Sequence, residues 1–201
     1  MTLNQFIELY DKEGSIILLE GKRNVAEDDK IKLYELGSLL VRNTQFMTFR
    51  SGNAAGADEY FFKGAATIDT SRIENILPYI DFNKRLNKFK FVSLEDIDLS
   101  NEINIIEKSK ENKKMIKLID QYLSGNINRL TLKASFIIRD TIKVTGTENQ
   151  KSNIHKATFG LFYDDLANPK SGGTGHTMKV CEIENVPYIT QTTWMNWLDN
   201  N

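Results

Sequence analysis

Three short segments of this chain carry the residue types from which an anion site is built. They are Gly21-Lys22-Arg23, the segment 51–58 (SGNAAGAD) and the segment 171–177 (SGGTGHT). Glycine lets backbone N–H groups approach an anion closely, and a helix that follows such a turn favours negative charge at its N-terminus. Two Gly-rich segments at one end of a sheet therefore point to a phosphate-bearing ligand. Neither is the GxxxxGK-Ser/Thr pattern of a P-loop. Neither is a GxGxxG followed about twenty residues later by an acid, which argues against a dinucleotide dehydrogenase. His176 has two readings, a donor to phosphate or a side chain at a helix entry. Asp58 is a ligand group or a first-turn acid that complements its helix dipole. Asp164 and Asp165 either bind ribose hydroxyls or cap a loop. No residue stands out as catalytic, and no cofactor is implied.

These segments need elements that bring them together. The run 15–19 (SIILL) has the length and continuous apolar character of a strand buried on both faces. A helix follows over about 26–42, then a second buried strand at 46–49 (FMTF), then a helix starting near Ala55. Strand, helix, strand, Gly-rich turn, helix is a βαβα unit, which implies a parallel sheet with right-handed crossovers. A third strand reads over 73–80, with Pro78 marking an edge or an early end. Residues 84–99 are ambiguous. A helix capped by Ser100 reads to about Leu123, with Glu107 and Glu111 three residues before Lys110 and Lys114, the pattern of a solvated face. Another helix covers about 127–143, and 145–155 is a polar loop. A fourth strand at 158–163 (TFGLFY), a Pro/Gly loop over 164–173, a helix over 174–184 and a fifth strand at 187–190 follow. A first helix over 2–13 and a closing helix with Trp194 and Trp197 in the core complete the chain.

Composition narrows the classes. The 201 residues are 40% hydrophobic and 26% charged, which excludes a disordered chain and a fibre. The net charge is −1, so binding to nucleic acid would need a local patch and is not favoured. Cys181 is the single cysteine and reads as core. With no CxxC or Cys/His cluster, no metal site is expected. No stretch approaches 18 apolar residues and the N-terminus lacks a signal-peptide pattern, so the expected location is the cytoplasm, with no membrane partner.

The segments RSGNAAGAD, ILPYIDFNKR, IIRDTIKVTG, ATFGLFYDD and SGGTGHTMKVCEIENVPYI occur in that order. Together they resemble the SLOG superfamily, the Rossmann-like proteins grouped around DNA-processing protein A and the Lonely Guy phosphoribohydrolases. The similarity extends to a small branch common in bacteriophages. It covers 15–23, 46–83 and 134–192. The resemblance implies that Gly21 and Arg23 form the turn after the first strand. It likewise implies ligand-binding roles for Ser51, Gly52, Gly56 and Asp58 in the second segment, for Asn83, and for Arg139. Gly172, Gly173, Thr174, Gly175 and Thr177 correspond to the phosphate loop, with His176 among them. Arg suits a phosphate because its planar fork donates two parallel hydrogen bonds. Asn53 stands where the branch has a second glycine, and asparagine tolerates positive φ. Asp140 stands where the branch has an asparagine, beside the phosphate-binding Arg139. The glutamate of the phosphoribohydrolase motif has no match at the corresponding helical position.

The expected fold is α/β, a single Rossmann-like three-layer α/β/α domain over 1–201. It has a mostly parallel sheet of about five main strands, with 84–130 an insertion or elaboration. The expected function is binding of a nucleotide-derived, phosphate-bearing small molecule, ADP-ribose-like or a nucleoside phosphate, as a sensor or sequestering protein. One alternative is hydrolysis of a nucleotide N-glycosidic bond by Asp58, Glu182 or Asp164. Another is single-stranded DNA binding in the manner of DNA-processing protein A. The resemblance also implies a homo-oligomer.

Overall fold

A computed structural model describes residues 1–148 and 152–199. The polar loop read over 145–155 therefore falls partly outside the described residues. The strands are β1 (Ile16–Gly21), β2 (Thr48–Ser51), β3 (Ile73–Leu77), β4 (Lys90–Ser93), β5 (Phe159–Tyr163) and β6 (Tyr188–Thr190). The helices are α1 (Leu3–Tyr10), α2 (Glu27–Asn43), α3 (Ala57–Ala65), α4 (Ile103–Ser109), α5 (Ile116–Leu123), α6 (Leu132–Thr145), α7 (Gly172–Ile183) and α8 (Gln191–Leu198). The six strands form one sheet in the order β4-β3-β2-β1-β5-β6, and every pairing is parallel.

Period-two alternation explains why the central strands read as unbroken apolar runs. In β1, Ile17 and Leu19 face the core shared with α1, α2, α3 and α8, while Leu18 faces the opposite core under α6 and α7. In β5, Phe159, Leu161 and Tyr163 face the first core and Phe162 the second. Each face is covered by helices, which is what a parallel sheet requires. The result is the expected Rossmann-like three-layer α/β/α fold.

Several boundaries differ from the sequence reading: β2 runs over Thr48–Ser51 rather than 46–49 and β3 ends at Leu77, before Pro78. β1 continues past the apolar run 15–19 to Gly21, so Glu20 lies inside the strand. A sixth strand, β4, comes from the ambiguous stretch 84–99 and pairs with β3 at the sheet edge. The helix read over 100–123 is two helices, α4 and α5. They part where Asn112, a poor helix former, takes ψ 85. The helix read from 127 begins at Leu132, because Asn128 Oδ1 accepts from the Leu130 and Thr131 amides and holds a turn there.

The chain enters the sheet centrally at β1, builds outward to β4, then returns to the other side of β1 with β5. The strand order thus reverses between β1 and β5. In sheets of this kind, ligands bind beyond the carboxyl ends of the strands at that reversal.

Candidate functional site

A cavity of about 380 Å³ opens there. Its wall comes from Glu20, Gly21, Lys22 and Arg23 after β1 and from Ala54 and Asp58 after β2. Phe136, Ile137, Arg139, Asp140 and Lys143 of α6 and Ser171, Gly172, Gly173 and Thr174 at the start of α7 complete it. Three segments singled out in the sequence therefore converge on one cavity.

The most buried part of its wall is a charged cluster. Alternation places Glu20 on the same face as Leu18, toward α6. There Lys143 Nζ lies 2.6 Å from Glu20 Oε2 and 2.8 Å from Asp140 Oδ1. All three side chains are at most 5% exposed. Glu20 Oε1 has no hydrogen-bond partner. Burial pushes the Glu20 carboxyl up to about 7, against the opposing pull of Lys143. Burial also works to raise Asp140, but Arg139 and Lys143 outweigh it and hold that carboxyl below its usual range. Asp140 is therefore a neutralised member of a cluster. Arg139 donates from Nη1 to the Gly52 carbonyl and stacks its guanidinium 5.7 Å from the Phe136 ring. Its Nε lies 2.9 Å from Asp140 Oδ1, an ion pair in which the N–H is not aimed at the oxygen.

The 171–177 segment is the first part of α7, which corrects the reading of a loop to residue 173 and a helix from 174. Gly175 N donates to the Ser171 carbonyl and opens the helix. Ser171 supplies no side-chain cap, so the amides of Gly172, Gly173 and Thr174 lack helical partners. Gly172 has φ +63 and open space around a built Cβ. A Cβ on Gly173 would meet only Asp140 Oδ2, at 3.1 Å. These glycines leave the cavity side of the turn bare. Gly175, His176 and Thr177 do not line this cavity. A Cβ on Gly175 would sit 1.9 Å from the Lys170 carbonyl, and Thr177 Oγ1 donates to the Gly173 carbonyl. His176 is buried, with Nε2 3.0 Å from Thr141 Oγ1, and burial lowers its affinity for a proton. Of its two readings, the helix-entry side chain matches this placement.

The second segment braces the first. Asp58 Oδ1 accepts from the Gly21 amide at 3.1 Å, and Oδ2 accepts from Gly52 N at 3.3 Å and Ala54 N at 3.4 Å. One carboxylate thus ties the ends of β1 and β2 together. Asn53 takes φ 55, as its type allows. Its Nδ2 donates to the carbonyls of Phe82 (3.1 Å) and Asn83 (3.3 Å), and Asn83 Nδ2 donates back to the Asn53 carbonyl at 2.8 Å. Gly56 has φ +96, and Arg23 backbone lies 2.3 Å from where its Cβ would be. Of the residues in this segment, Ala54 and Asp58 line the cavity. Ser51, Gly52, Asn53 and Gly56, with Asn83, are not part of its wall. A smaller cavity of about 110 Å³ shares Ala54 and Asp58 with the first, and Asn53, Phe62, Arg85, Leu86 and Phe89 help enclose it.

Sequence reasoning missed Glu20 and Lys143. The signal for Glu20 was an acid in register with Leu18 at the carboxyl end of a doubly buried strand. Asp164 and Asp165 serve the loop: Asp164 Oδ2 accepts from Lys170 N at 2.9 Å, and Asp165 pairs with Lys22 at 3.5 Å. Among the described residues, no group of His, Cys, Asp and Glu could hold a metal ion, and no helix is long and apolar enough to cross a membrane.

No protein-family model matches the sequence, and no curated protein matches it. A comparison of structures finds DNA processing protein A from Helicobacter pylori, described with a single-stranded DNA binding mode. The TM-score is 0.55 over 94% of this chain and 68% of that one, with 12% identity. The two proteins share a fold. The resemblance read from the motifs is thus supported at the level of a DNA-processing-protein-A-like architecture.

Proposed function

We propose that this chain binds a phosphate-bearing, nucleotide-derived small molecule, ADP-ribose-like or a nucleoside phosphate, as a sensor or sequestering protein. The observation that carries the reading is the uncapped first turn of α7. Gly172 and Gly173 bare its amides to a cavity that Arg23 and Arg139 also line. A 12-residue helix offers free N–H donors and a favourable dipole to an anion at that end. The adjoining cavity, with Phe62 and Phe89 in its wall, has the apolar character a nucleobase needs and abuts the first at Ala54. The three carboxylates weighed for glycosidic cleavage are engaged elsewhere. Asp58 braces the strand ends, Asp164 caps the loop, and Glu182 pairs with Lys170 and accepts from Tyr188.

The test is native mass spectrometry of freshly purified protein, followed by denaturation and identification of released small molecules, with AMP and ADP-ribose titrated calorimetrically. A co-purified or titratable nucleotide supports the reading. No release and no heat from either compound at millimolar concentration overturns it.

A second reading, single-stranded DNA binding, rests on a groove beside the same turn. Lys113, Lys114, Lys133, Lys170 and Lys179 line it together with Ser171, Gly172 and Gly173. Lys113 and Lys179 pair with Glu111, and Lys170 with Glu182, which removes much of the field. If this reading holds, oligonucleotide affinity falls steeply with salt; absent binding at low salt ends it.

A further inference from the structure

The cavity wall holds one polar atom that the proposed phosphate does not use. Glu20 Oε1 is buried and unpartnered, on a side chain that lines the cavity. Its other oxygen is held by Lys143 at 2.6 Å. Such a group repels phosphate and attracts a hydrogen-bond donor. Left empty, it carries the cost of an unmet buried acceptor.

Its position relative to the phosphate cradle is set by short contacts. Asp140 Oδ2 lies 3.1 Å from the Cβ position of Gly173, Asp140 Oδ1 lies 2.8 Å from Lys143, and Lys143 holds Glu20. The anion end and the acceptor end of the cavity are therefore linked through two side chains, Asp140 and Lys143. The cavity of about 380 Å³ is of a size that takes a sugar phosphate. One small molecule must present an anion at one end and a donor at the other.

We propose that Glu20 reads a sugar hydroxyl and makes the site selective for ribose-type phosphate esters over their deoxy counterparts. This rests on the phosphate-binding reading given above and deepens it. Well above pH 7, where the Glu20 carboxyl is ionised, an analogue that lacks the hydroxyl would leave a charged buried acceptor unmet, so the titrations are made at about pH 8.5. Hydrogen bonds to charged groups are strong enough to make that discrimination about tenfold or more.

The probes are AMP, 2′-deoxy-AMP and 3′-deoxy-AMP, titrated calorimetrically into the wild-type protein and into Glu20→Gln, with folding checked by circular dichroism. The expected result is that at least one deoxy analogue binds about tenfold or more weakly to wild type. In Glu20→Gln the gap narrows to about threefold or less, because a neutral acceptor is lost at smaller cost than a charged one. If all three nucleotides bind wild type alike, the hydroxyl-reading role is overturned while phosphate binding stands. A gap that persists unchanged in Glu20→Gln assigns the discrimination to another residue and also overturns it. Should Glu20→Gln fail to fold, Glu20→Asp keeps the charge beside Lys143 but draws the free oxygen back, and a gap that does not narrow there overturns the assignment to Glu20. No binding of any of the three overturns the underlying reading instead.

Discussion

Replacing Asp58 by alanine separates a structural brace from a ligand contact. The carboxylate accepts three backbone N–H groups, from Gly21 at 3.1 Å, Gly52 at 3.3 Å and Ala54 at 3.4 Å. It is 4% exposed, so water cannot readily take over these donors. A buried donor left unmet costs about 1–3 kcal/mol, and charge-assisted bonds sit toward the upper end. Two of the three contacts are long, which lowers their share. Asp58 is also a first-turn acid of α3, whose loss removes a few tenths of a kcal/mol more. The expected destabilisation is about 3 kcal/mol. Urea unfolding followed by circular dichroism measures it. The midpoint should fall by about 1–1.5 M with an unchanged slope, taking an m-value near 2–3 kcal/mol/M for a chain of this size. Asp58→Asn should fall between wild type and alanine, since it keeps one acceptor oxygen. An alanine variant within about 0.5 kcal/mol of wild type would refute the brace. If that variant also lost nucleotide binding, Asp58 would be a ligand group rather than the tie between β1 and β2.

Other perturbations follow from the same geometry. At Asn53, with φ 55 and two side-chain bonds to carbonyls, thermal melts should rank Asn above Gly above Ala. An alanine variant at least as stable as the glycine one contradicts this. Lys143→Met leaves Glu20 without its cation and Asp140 with Arg139 alone, and should cost about 3–5 kcal/mol. Adding Glu20→Gln should recover part of that loss, and urea midpoints of the single and double variants check it. The Glu20 carboxyl titrates near 7 in the folded protein, above its ordinary 4.5, so folding favours its protonated form. Stability from this group is therefore fully present below about pH 4.5, declines as pH rises toward 7, and levels off above. The decline amounts to about 3 kcal/mol at most, and Glu20→Gln should flatten it in midpoints measured from pH 5 to 8.

The central strands were legible because burial on both faces leaves a continuous apolar run, as in SIILL and TFGLFY. The apolar run stops at Leu19, so that criterion hid Glu20, a charged residue tolerated inside the strand because Lys143 arrives from α6. The pairing partner is 123 residues away and nothing in the local pattern announces it. β4 was not legible because Lys90 and Phe91 are exposed at the sheet edge, where no apolar run is required. The Gly-rich segment 171–177 was legible as an anion-site candidate, but its helical start was not, since Gly172 and Gly173 are poor helix formers. His176 and Asp58 each had two readings in the sequence, and each distinction depends on what lies opposite in space: Thr141 in one case, three backbone amides in the other.

The most direct measurement is an amide NMR titration of ¹⁵N-labelled protein with AMP at low salt. The account expects the Gly172, Gly173 and Thr174 resonances to shift together and saturate, with the Arg23 and Arg139 side-chain signals following the same isotherm. Shifts elsewhere with these three amides unmoved at millimolar AMP would contradict a phosphate site at the first turn of α7.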